Sequence, residues 1–332
     1  MTEKFESFHH QKLSETFESN EFSQEDIENC KEISCDLYKI VYNQLISDLI
    51  QKQANGYTGD TNIDSKDLKS EHEEDKIINI LINNYSKIKN INICIEKSKL
   101  KINENAKFSA FIDTVDGSLN WGLQMGDPCF VIAISKKPRD IRFKDLSYIF
   151  VKSLRSNDYF TLENNIAYYH NQFFKERSQI NCQQKENIYE ISKARACLRY
   201  GYSLAIEQFV NTVPLLLQVK DNRAIENSAF EQCCVARGVF DLMVEARNKS
   251  EHHNILTYNL LKASGAFICD LNGQDFGNKI IGSHDDVQDF IISTNKKLQE
   301  DTLKVMSKFK QEKIYYVGNS SSGKKIRIEI ID

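Results

Sequence analysis

The chain has 332 residues, of which 41% are hydrophobic and 27% are charged. This composition provides a buried core and excludes wholesale disorder, a collagen and a coiled-coil rod. The formal net charge of −4 gives no bulk electrostatic attraction to nucleic acid or to an anionic membrane, so a phosphate ligand would need a local source of positive charge, such as a metal ion or a helix N-terminus.

The N-terminal region begins with a polar, acidic segment and continues with two predicted helices. We expect residues 1–22 to form a flexible tail. Ser23 and Asp26 resemble a helix cap, and apolar residues then recur at helical spacing. The polar residues 51–74 predict a loop, and an apolar stripe predicts a second helix over 75–85.

The pattern then changes to short runs of β-favouring residues, two of which end in a carboxylate. Residues 92–96 end in Glu96, and residues 107–113 end in Asp113. Further strands are predicted at hairpin-like spacing, at 130–135, 146–151 and 158–162.

After about residue 185 the predicted strands and helices alternate, which is typical of layered α/β structure. The alternation predicts strands at 194–200, 239–245 and 266–271, and helices at 204–218, 228–237 and 256–264. We therefore expect an N-terminal α+β domain at 23–185, a C-terminal α/β domain at 186–310 and a β-hairpin extension at 311–332.

The C-terminal segment contains a glycine- and serine-rich run at 318–325 that nearly fits a phosphate-binding P-loop. P-loops place a Mg²⁺-binding Ser or Thr where this chain has Lys325, and the alternating residues that follow predict a strand instead of a helix. We therefore interpret this run as the turn of a hairpin.

The cysteines and the apolar runs bear on the cellular compartment. Nine cysteines, with no Cys-x-x-Cys pair, lie mostly in apolar surroundings and predict buried free thiols in a reducing compartment. The sequence shows neither the apolar region of a signal peptide nor an apolar run of membrane-spanning length. These observations predict a soluble, cytoplasmic protein without membrane or nucleic-acid partners.

The residues that suggest chemistry lie at 111–121, where an apolar strand leads into a glycine-containing turn. Asp113 and Asp116 can converge on one hard divalent cation, and the Val115 carbonyl can join them because Mg²⁺ prefers oxygen ligands. Glu96 would reach the same ion if its strand is a neighbour. The alternative is a polar turn whose aspartates are simply solvated.

The same turn offers a place for an anion. Gly117 and Ser118 present backbone N–H groups at the start of a helix-like stretch, where partial positive charge favours a phosphate. The Ser118 hydroxyl could also hold an attacking water. Together with the acidic residues, this turn predicts metal-assisted chemistry at a phosphate group.

These residues also resemble a known family. Glu96 is followed at 112–120 by Ile-Asp-Thr-Val-Asp-Gly-Ser-Leu-Asn, which is similar to the signature of the inositol monophosphatase family, and most similar to its archaeal-type members. This superfamily of Mg²⁺-dependent, lithium-sensitive phosphatases includes fructose-1,6-bisphosphatases and bisphosphate nucleotidases. Further segments that resemble the family's motifs follow in the same order, at 223–241, 263–273 and 290–295.

The resemblance implies a fold, an activity and a set of site residues. The fold would be a layered αβαβα sandwich of the α/β (α+β) class. The protein would be a homodimeric, Mg²⁺-dependent hydrolase of a small phosphate monoester, of the inositol monophosphate or fructose 1,6-bisphosphate class. The metal ligands would be Glu96, Asp113, the Val115 carbonyl and Asp116. Gly117 and Ser118 would hold the phosphate, with Ser118 also orienting the nucleophilic water, and Glu245 would contact substrate hydroxyls.

Several positions depart from the family pattern. Lys97 stands where the family has a second acidic residue, and Thr114 replaces a proline. The aspartate that completes the family's second metal site falls on His253 or on Asn254, depending on where the count is anchored, and neither is an anionic ligand.

The acid that polarises the attacking water in the family is also displaced. Its position falls on Ser70 or on Glu73, with Glu71 as a further substitute. A degenerate second metal site therefore leaves an alternative open, in which the chain is a catalytically weakened or inactive member that binds a phospho-ligand or a protein.

Overall fold

The computed structural model describes residues 21–54, 73–96, 100, 102–122, 125–171, 173, 176–184, 188–199, 212–247, 252–282, 289–311, 318–319 and 325–326. Parts of several predicted segments lie outside the described residues, namely the tail at 1–20, the loop at 55–72, residues 200 and 204–211, and most of the extension at 311–332. The flexible tail predicted at 1–22 is wrong at its described end, because Phe22 is 3% exposed and its N–H donates to the Asn164 side chain. The chain forms two compact units. Unit 1 comprises residues 1–179 and 277–283, and unit 2 comprises residues 180–276 and 284–332.

Unit 1 contains two long helices, a short helix and a seven-stranded sheet in the described part of the chain. The helices are α1 (Gln24–Ala54), α2 (Glu73–Lys89) and α3 (Ser118–Gly122). The strands are β1 (Asn92–Ile95), β2 (Ser109–Asp116), β3 (Cys129–Ser135), β4 (Tyr148–Ser153), β5 (Tyr159–Glu163), β6 (Ile166–His170) and β7 (Ser178–Gln179). The five strands predicted between residues 92 and 162 are confirmed to within three residues.

The strands of unit 1 follow one another across the sheet in chain order. β1 and β2 are parallel, whereas the later neighbours pair antiparallel. β3 and β4 are buried along their whole length, so their side chains form the centre of the core of this unit. Because β1 and β2 are parallel neighbours, their carboxyl ends meet at the same edge of the sheet.

Helix α1 begins at the predicted cap and packs one apolar face on the sheet. The Asp26 N–H donates to the Ser23 hydroxyl, and the Ser23 N–H donates to the Asp26 carboxylate, both at 3.1 Å. The residues of its buried face recur every three or four positions: Ile27, Cys30, Ile33, Leu37, Val41 and Leu45.

The loop predicted at 51–74 is wrong at both of its ends. Residues 51–54 complete α1, and residues 73–74 begin α2. Gln, Lys, Ala and Glu are good helix formers, so a polar composition there does not stop a helix that is already formed.

Unit 2 contains a five-stranded sheet and several helices. The strands are β8 (Arg195–Leu198), β9 (Asp221–Asn222), β10 (Leu242–Glu245), β11 (Phe267–Asp270) and β12 (Phe290–Ser293). The helices are α4 (Val213–Leu216), α5 (Ser228–Ala236), α6 (Tyr258–Ala263) and α7 (Lys296–Gln311). The strand order is β11-β12-β10-β8-β9, with the fully buried β10 at the centre, parallel to β8 and antiparallel to β12. The predicted mixed α/β class is confirmed.

Two short strands near the C-terminus decide between the P-loop and the hairpin. β13 (Gly318–Asn319) pairs antiparallel with β14 (Lys325–Ile326), with Asn319 opposite Lys325. A P-loop would lead into a helix at this point, so the hairpin prediction is confirmed.

The predicted state of the cysteines is also confirmed. All nine lie in the described part of the chain, all are free thiols, and all are buried except Cys35, which is exposed, and Cys234, which is half-buried. None of the described helices has the length and hydropathy needed to cross a membrane.

Candidate functional site

The first two acidic residues of the candidate site end neighbouring parallel strands. Ile95 pairs with Ile112, and the Glu96 N–H donates to the Ile112 carbonyl at 2.9 Å. Continuing this register places Glu96 beside Asp113 at the edge of the sheet. The adjacency on which the sequence prediction depended is therefore present in the backbone.

An irregularity in β2 brings the second aspartate to the same side of the sheet. Asp113 lies opposite Val131, whereas Asp116, three residues later, lies opposite Cys129, only two residues away on β3. β2 thus carries one extra residue, as in a β-bulge. Positions three apart in a regular strand face opposite sides, but Val131 and Cys129 share a face, so their partners do as well. The bulge therefore turns Asp113 and Asp116 to one side.

The two aspartates are buried at this point. Each is 5% exposed. The Val115 N–H donates to the Asp113 carboxylate at 3.1 Å, and the Cys129 Sγ lies 3.6 Å from Asp116 Oδ2. Burial of two carboxylates at a strand end is costly without compensating charge, which argues against the alternative of simply solvated aspartates.

The turn that follows depends on a glycine. Gly117 has φ of +83°, in the left-handed region where a side chain is strained, and it precedes α3, whose first residue Ser118 is exposed. The Trp121 N–H donates to the Gly117 carbonyl at 3.0 Å and closes the turn. The exposed Ser118 thus follows the buried Asp116 by two residues.

The atoms at this edge of the sheet are of the type that binds a hard cation, and the backbone places the residues that carry them close together. They are carboxylate oxygens and the carbonyl of the half-buried Val115, which is the ligand type of Mg²⁺. In the part of the chain that the structure describes, no three His, Cys, Asp or Glu side chains lie close enough to share one metal ion. Glu96, Asp113 and Asp116 would therefore have to turn their side chains toward a common point to bind an ion together.

The remaining acidic positions of the family pattern fall on residues of unit 2 or on residues whose side chains lie outside the described part of the chain. His253 and Asn254 lie in unit 2, in a short 3₁₀ turn, His252–Ile255. His253 is 2% exposed, and its ring lies 4.3 Å from that of His252. The Asn254 carbonyl accepts a hydrogen bond from the Gln232 amide. Glu73 begins α2, but its side chain, like residues 70, 71 and 97, lies outside the described part.

Glu245, the predicted substrate contact, lies in a buried charge cluster of unit 2. This cluster consists of Arg199, Glu226, Glu231, Glu245 and Arg247. The Arg247 guanidinium binds both oxygens of Glu245, with Nε–Oε1 of 2.8 Å and Nη2–Oε2 of 2.5 Å. Arg199 Nε lies 3.5 Å from the same carboxylate, and Glu245 is fully buried.

The charge cluster also holds the segment before α5. Arg247 Nη1 binds Glu226 at 2.9 Å, and Arg199 Nε binds it at 3.2 Å. The backbone N–H groups of Ile225 and Glu226 donate to the Glu231 carboxylate. Glu226 has φ of +63°, an unusual conformation for this residue type, which these bonds stabilise.

Arg199, Glu231 and Arg247 are not among the site residues that were predicted from the sequence. One signal was available, because Glu231 is the only charged residue between Ser228 and Ala236, and a buried charge needs a partner. The sequence does not predict which cation pairs with it, because Arg199 lies 32 residues away from Glu231 in the chain.

Glu231 gives the cluster a pH dependence. Burial raises the pKa of Glu231 to about 7. A raised pKa in the folded state means that stability is highest below the unfolded value near 4.5 and falls as pH rises toward about 7, by about 3 kcal/mol for such a shift. The charged groups that act on it are Arg199 and Glu226, and the Cys197 thiol also bonds to it.

We therefore expect Glu231→Gln to flatten the dependence of Tm on pH between 5 and 7.5. The amide oxygen can still accept the two backbone N–H bonds, but no proton is lost over this range. The measurement is thermal unfolding at several pH values, beside Glu104→Gln, which changes an exposed glutamate. Equal pH slopes for the two variants would contradict the raised pKa.

Comparison with known proteins identifies the fold. No protein-family model matches the sequence, and no curated protein sequence matches it. The chain is similar to solved structures of inositol monophosphatases at low sequence identity. A hypothetical protein from Pyrococcus horikoshii with similarities to inositol-1 monophosphatase is 18% identical, with a TM-score of 0.63 over 84% of this chain and 98% of that one.

Two further structures give the same result. An inositol monophosphatase from Zymomonas mobilis is 13% identical, with a TM-score of 0.62 over 86% of this chain and 100% of that one. A protein described as an inositol monophosphatase–fructose 1,6-bisphosphatase is 19% identical, with a TM-score of 0.59 over 86% of this chain and 100% of that one. The predicted layered sandwich fold is therefore confirmed as the fold that these structures share.

Proposed function

We propose that this chain, which has the fold of the inositol monophosphatases, is a Mg²⁺-dependent phosphatase of small phosphate monoesters, of the inositol monophosphate or fructose 1,6-bisphosphate class. The observation that supports this most is the edge of the unit 1 sheet, where a bulge brings buried Asp113 and Asp116 to one side and Glu96 ends the adjacent strand. The buried free thiols favour the cytoplasm as the location of the protein, and by the resemblance it would be a homodimer.

Glu96, Asp113, the Val115 carbonyl and Asp116 would hold the ion. Bound Mg²⁺ supplies an acidified water and positive charge that offsets the charge on the phosphate and the leaving oxygen. The role of the chain is to keep two carboxylates buried at 5% exposure beside a half-buried third, where water screens their charge little.

The turn after Asp116 would bind the phosphate. The left-handed Gly117 allows the backbone to reverse directly after the last acidic residue, so that its own N–H and that of Ser118 lie close to the acidic edge. The exposed Ser118 hydroxyl would orient the attacking water by accepting or donating one hydrogen bond.

Two residues complete this proposal from the family pattern. Glu73, at the start of α2, would act on the attacking water. Glu245 would contact a substrate hydroxyl, but it is fully buried and already accepts from the backbone N–H, Nε and Nη2 of Arg247, so Arg247 would have to turn away first.

The test is phosphate release from inositol 1-phosphate, fructose 1,6-bisphosphate and 3′-phosphoadenosine 5′-phosphate across a Mg²⁺ titration. We expect release from at least one substrate and a requirement for Mg²⁺. Absence of release at high Mg²⁺, in a sample shown to be folded by circular dichroism, would contradict the proposal. The substrate that is hydrolysed identifies the class.

A second function is favoured by the donor set of unit 2. The resemblance places the second metal site on His253 or Asn254, and neither supplies a carboxylate. A chain with a weakened second site would bind a phospho-ligand or a protein without turnover. Calorimetry with inositol 1-phosphate distinguishes the two, because binding without release supports the second function.

A further inference from the structure

Arg155 connects a surface turn to the segment that follows Ser118. It is an exposed residue in the turn between β4 and β5. Its guanidinium donates to two backbone carbonyls, from Nη2 to Asn120 at 3.0 Å and from Nη1 to Gly126 at 3.4 Å. Asn120 lies within α3 and Gly126 lies between α3 and β3, so one planar group bonds to the helix and to the segment that leads into β3.

The Asn120 carbonyl is a shared acceptor in this segment. It also accepts the Met125 N–H at 2.8 Å, and one residue further on the Trp121 N–H bonds back to the Gly117 carbonyl. Arg155 therefore binds the short helix that begins at Ser118, two residues beyond the residue proposed to orient the water.

The turn that carries Arg155 is itself fixed to the same edge of the sheet. The Ser153 hydroxyl donates to the half-buried Asp127 and accepts the N–H groups of Arg155 and Ser156, at 3.0 and 2.7 Å. Ser153 pairs with Cys129 in the sheet, and Cys129 pairs with Asp116. Arg155 thus follows β4, which is joined through β3 to β2, the strand that carries Asp116.

We propose that Arg155 is a positioning residue for the reaction at this edge, which rests on the proposed phosphatase function. Its bridge fixes the turn that presents Gly117 and Ser118. These two bonds use two of its five N–H donors. The exposed guanidinium also places a positive charge near the turn, where it favours an anionic phosphate ester. A lysine keeps that charge but cannot hold two carbonyls in a fixed geometry.

The experiment compares Arg155→Gln and Arg155→Lys with the wild type, and uses Arg139→Gln as a control. Arg139 is an exposed arginine of the same unit that pairs with Glu104. The first readout is hydrogen exchange, by mass spectrometry, of a peptide containing the amides of Trp121 and Met125. The second is kcat and KM for whichever ester the wild type hydrolyses, with Tm as a check on folding.

We expect the amide hydrogens of this peptide to exchange faster in both Arg155 variants, by about 10-fold or more, and at the wild-type rate in the Arg139→Gln control. We expect kcat to fall by about 10- to 100-fold in both, because misplacement of a positioning turn costs about this much. KM should rise in Arg155→Gln and return toward the wild-type value in Arg155→Lys, since only the charge is restored.

Each contrary result is informative. Unchanged exchange would overturn the bridge, and faster exchange with unchanged kcat and KM would overturn its role in the reaction. If the wild type shows no Mg²⁺-dependent release, the proposed function and the catalytic role of Arg155 fail together, while the exchange data still decide whether the bridge exists.

Discussion

Replacing Asp116 with Asn is expected to reduce Mg²⁺-dependent phosphate release on the order of 100-fold or more. Asn keeps the size of the side chain but removes the charge of a buried carboxylate that lies on the same side of the sheet as Asp113. Loss of a residue that only supports a metal ligand already costs about 10- to 100-fold in affinity or activity, so loss of a direct ligand should cost at least as much.

The matched control is Asp140→Asn, the same change at an exposed position of unit 1. Asp140 has φ of +49°, a conformation that Asn tolerates well, so the control should stay folded and active. Equal activity of the Asp116 variant and the wild type would show that this carboxylate holds no catalytic ion.

A readout that does not depend on turnover is the effect of Mg²⁺ on Tm. An ion that binds only the folded state stabilises it by about 2.7 kcal/mol at 100 times its Kd. We expect Mg²⁺ to raise the Tm of the wild type and of Asp140→Asn but to have little effect on Asp116→Asn.

Replacing Arg247 with Met is expected to destabilise the protein by about 3–5 kcal/mol, because it leaves buried carboxylates without their principal cation. Arg247 is 5% exposed, holds both oxygens of Glu245 and also binds Glu226. Methionine fills a similar volume, so the expected loss comes from uncompensated charge and not from a cavity.

The control is Arg223→Met, the same substitution in an ion pair that lies in solvent. Arg223 Nε binds Asp221 at 2.8 Å, but the Arg223 side chain is 71% exposed. Exposed pairs contribute about 0–1 kcal/mol, so this variant should unfold almost like the wild type in a denaturant titration. Similar losses in the two variants would contradict a special role for burial.

The double variant Glu245→Gln, Arg247→Met separates the ion pair from packing. Removing both charges should recover a large part of the stability lost in Arg247→Met, since the cost lies in an unmatched charge. The single variant Glu245→Gln tests the proposed substrate contact. A contact with substrate would appear as a raised KM, whereas a purely structural residue would change only the stability.

Much of the fold was predictable because it depends on local pattern. The face of α1 follows from apolar residues every three or four positions, and its start from the reciprocal Ser23 and Asp26 cap. The ends of the loop at 51–74 were wrong, because helix formation is cooperative and favourable residues extend a helix past the last apolar contact.

The candidate site was predictable in composition but not in geometry. Spacing alone places Asp113 and Asp116 on opposite sides of a regular strand, and the bulge that brings them together appears only in the pairing of β2 with β3. Arg155 and most contacts of the charge cluster were missed for a related reason. Arg247 lies only two residues from Glu245, but the other partners of these guanidinium groups lie 21 to 46 residues away in the chain and have no fixed spacing in sequence.

The sequence by itself therefore determined the types of ligand, the order of the elements, the buried thiols and the glycine at the turn, all of which are properties of single residues or of local periodicity. The tertiary structure decided which carboxylates share a side of the sheet, that Glu96 lies beside Asp113, and that Arg199 lies against the buried Glu245. These features depend on strand register and on burial, which arise only when distant segments pack together. A charged residue in solvent needs no partner, whereas a buried one must be paired because removing its charge from water is costly.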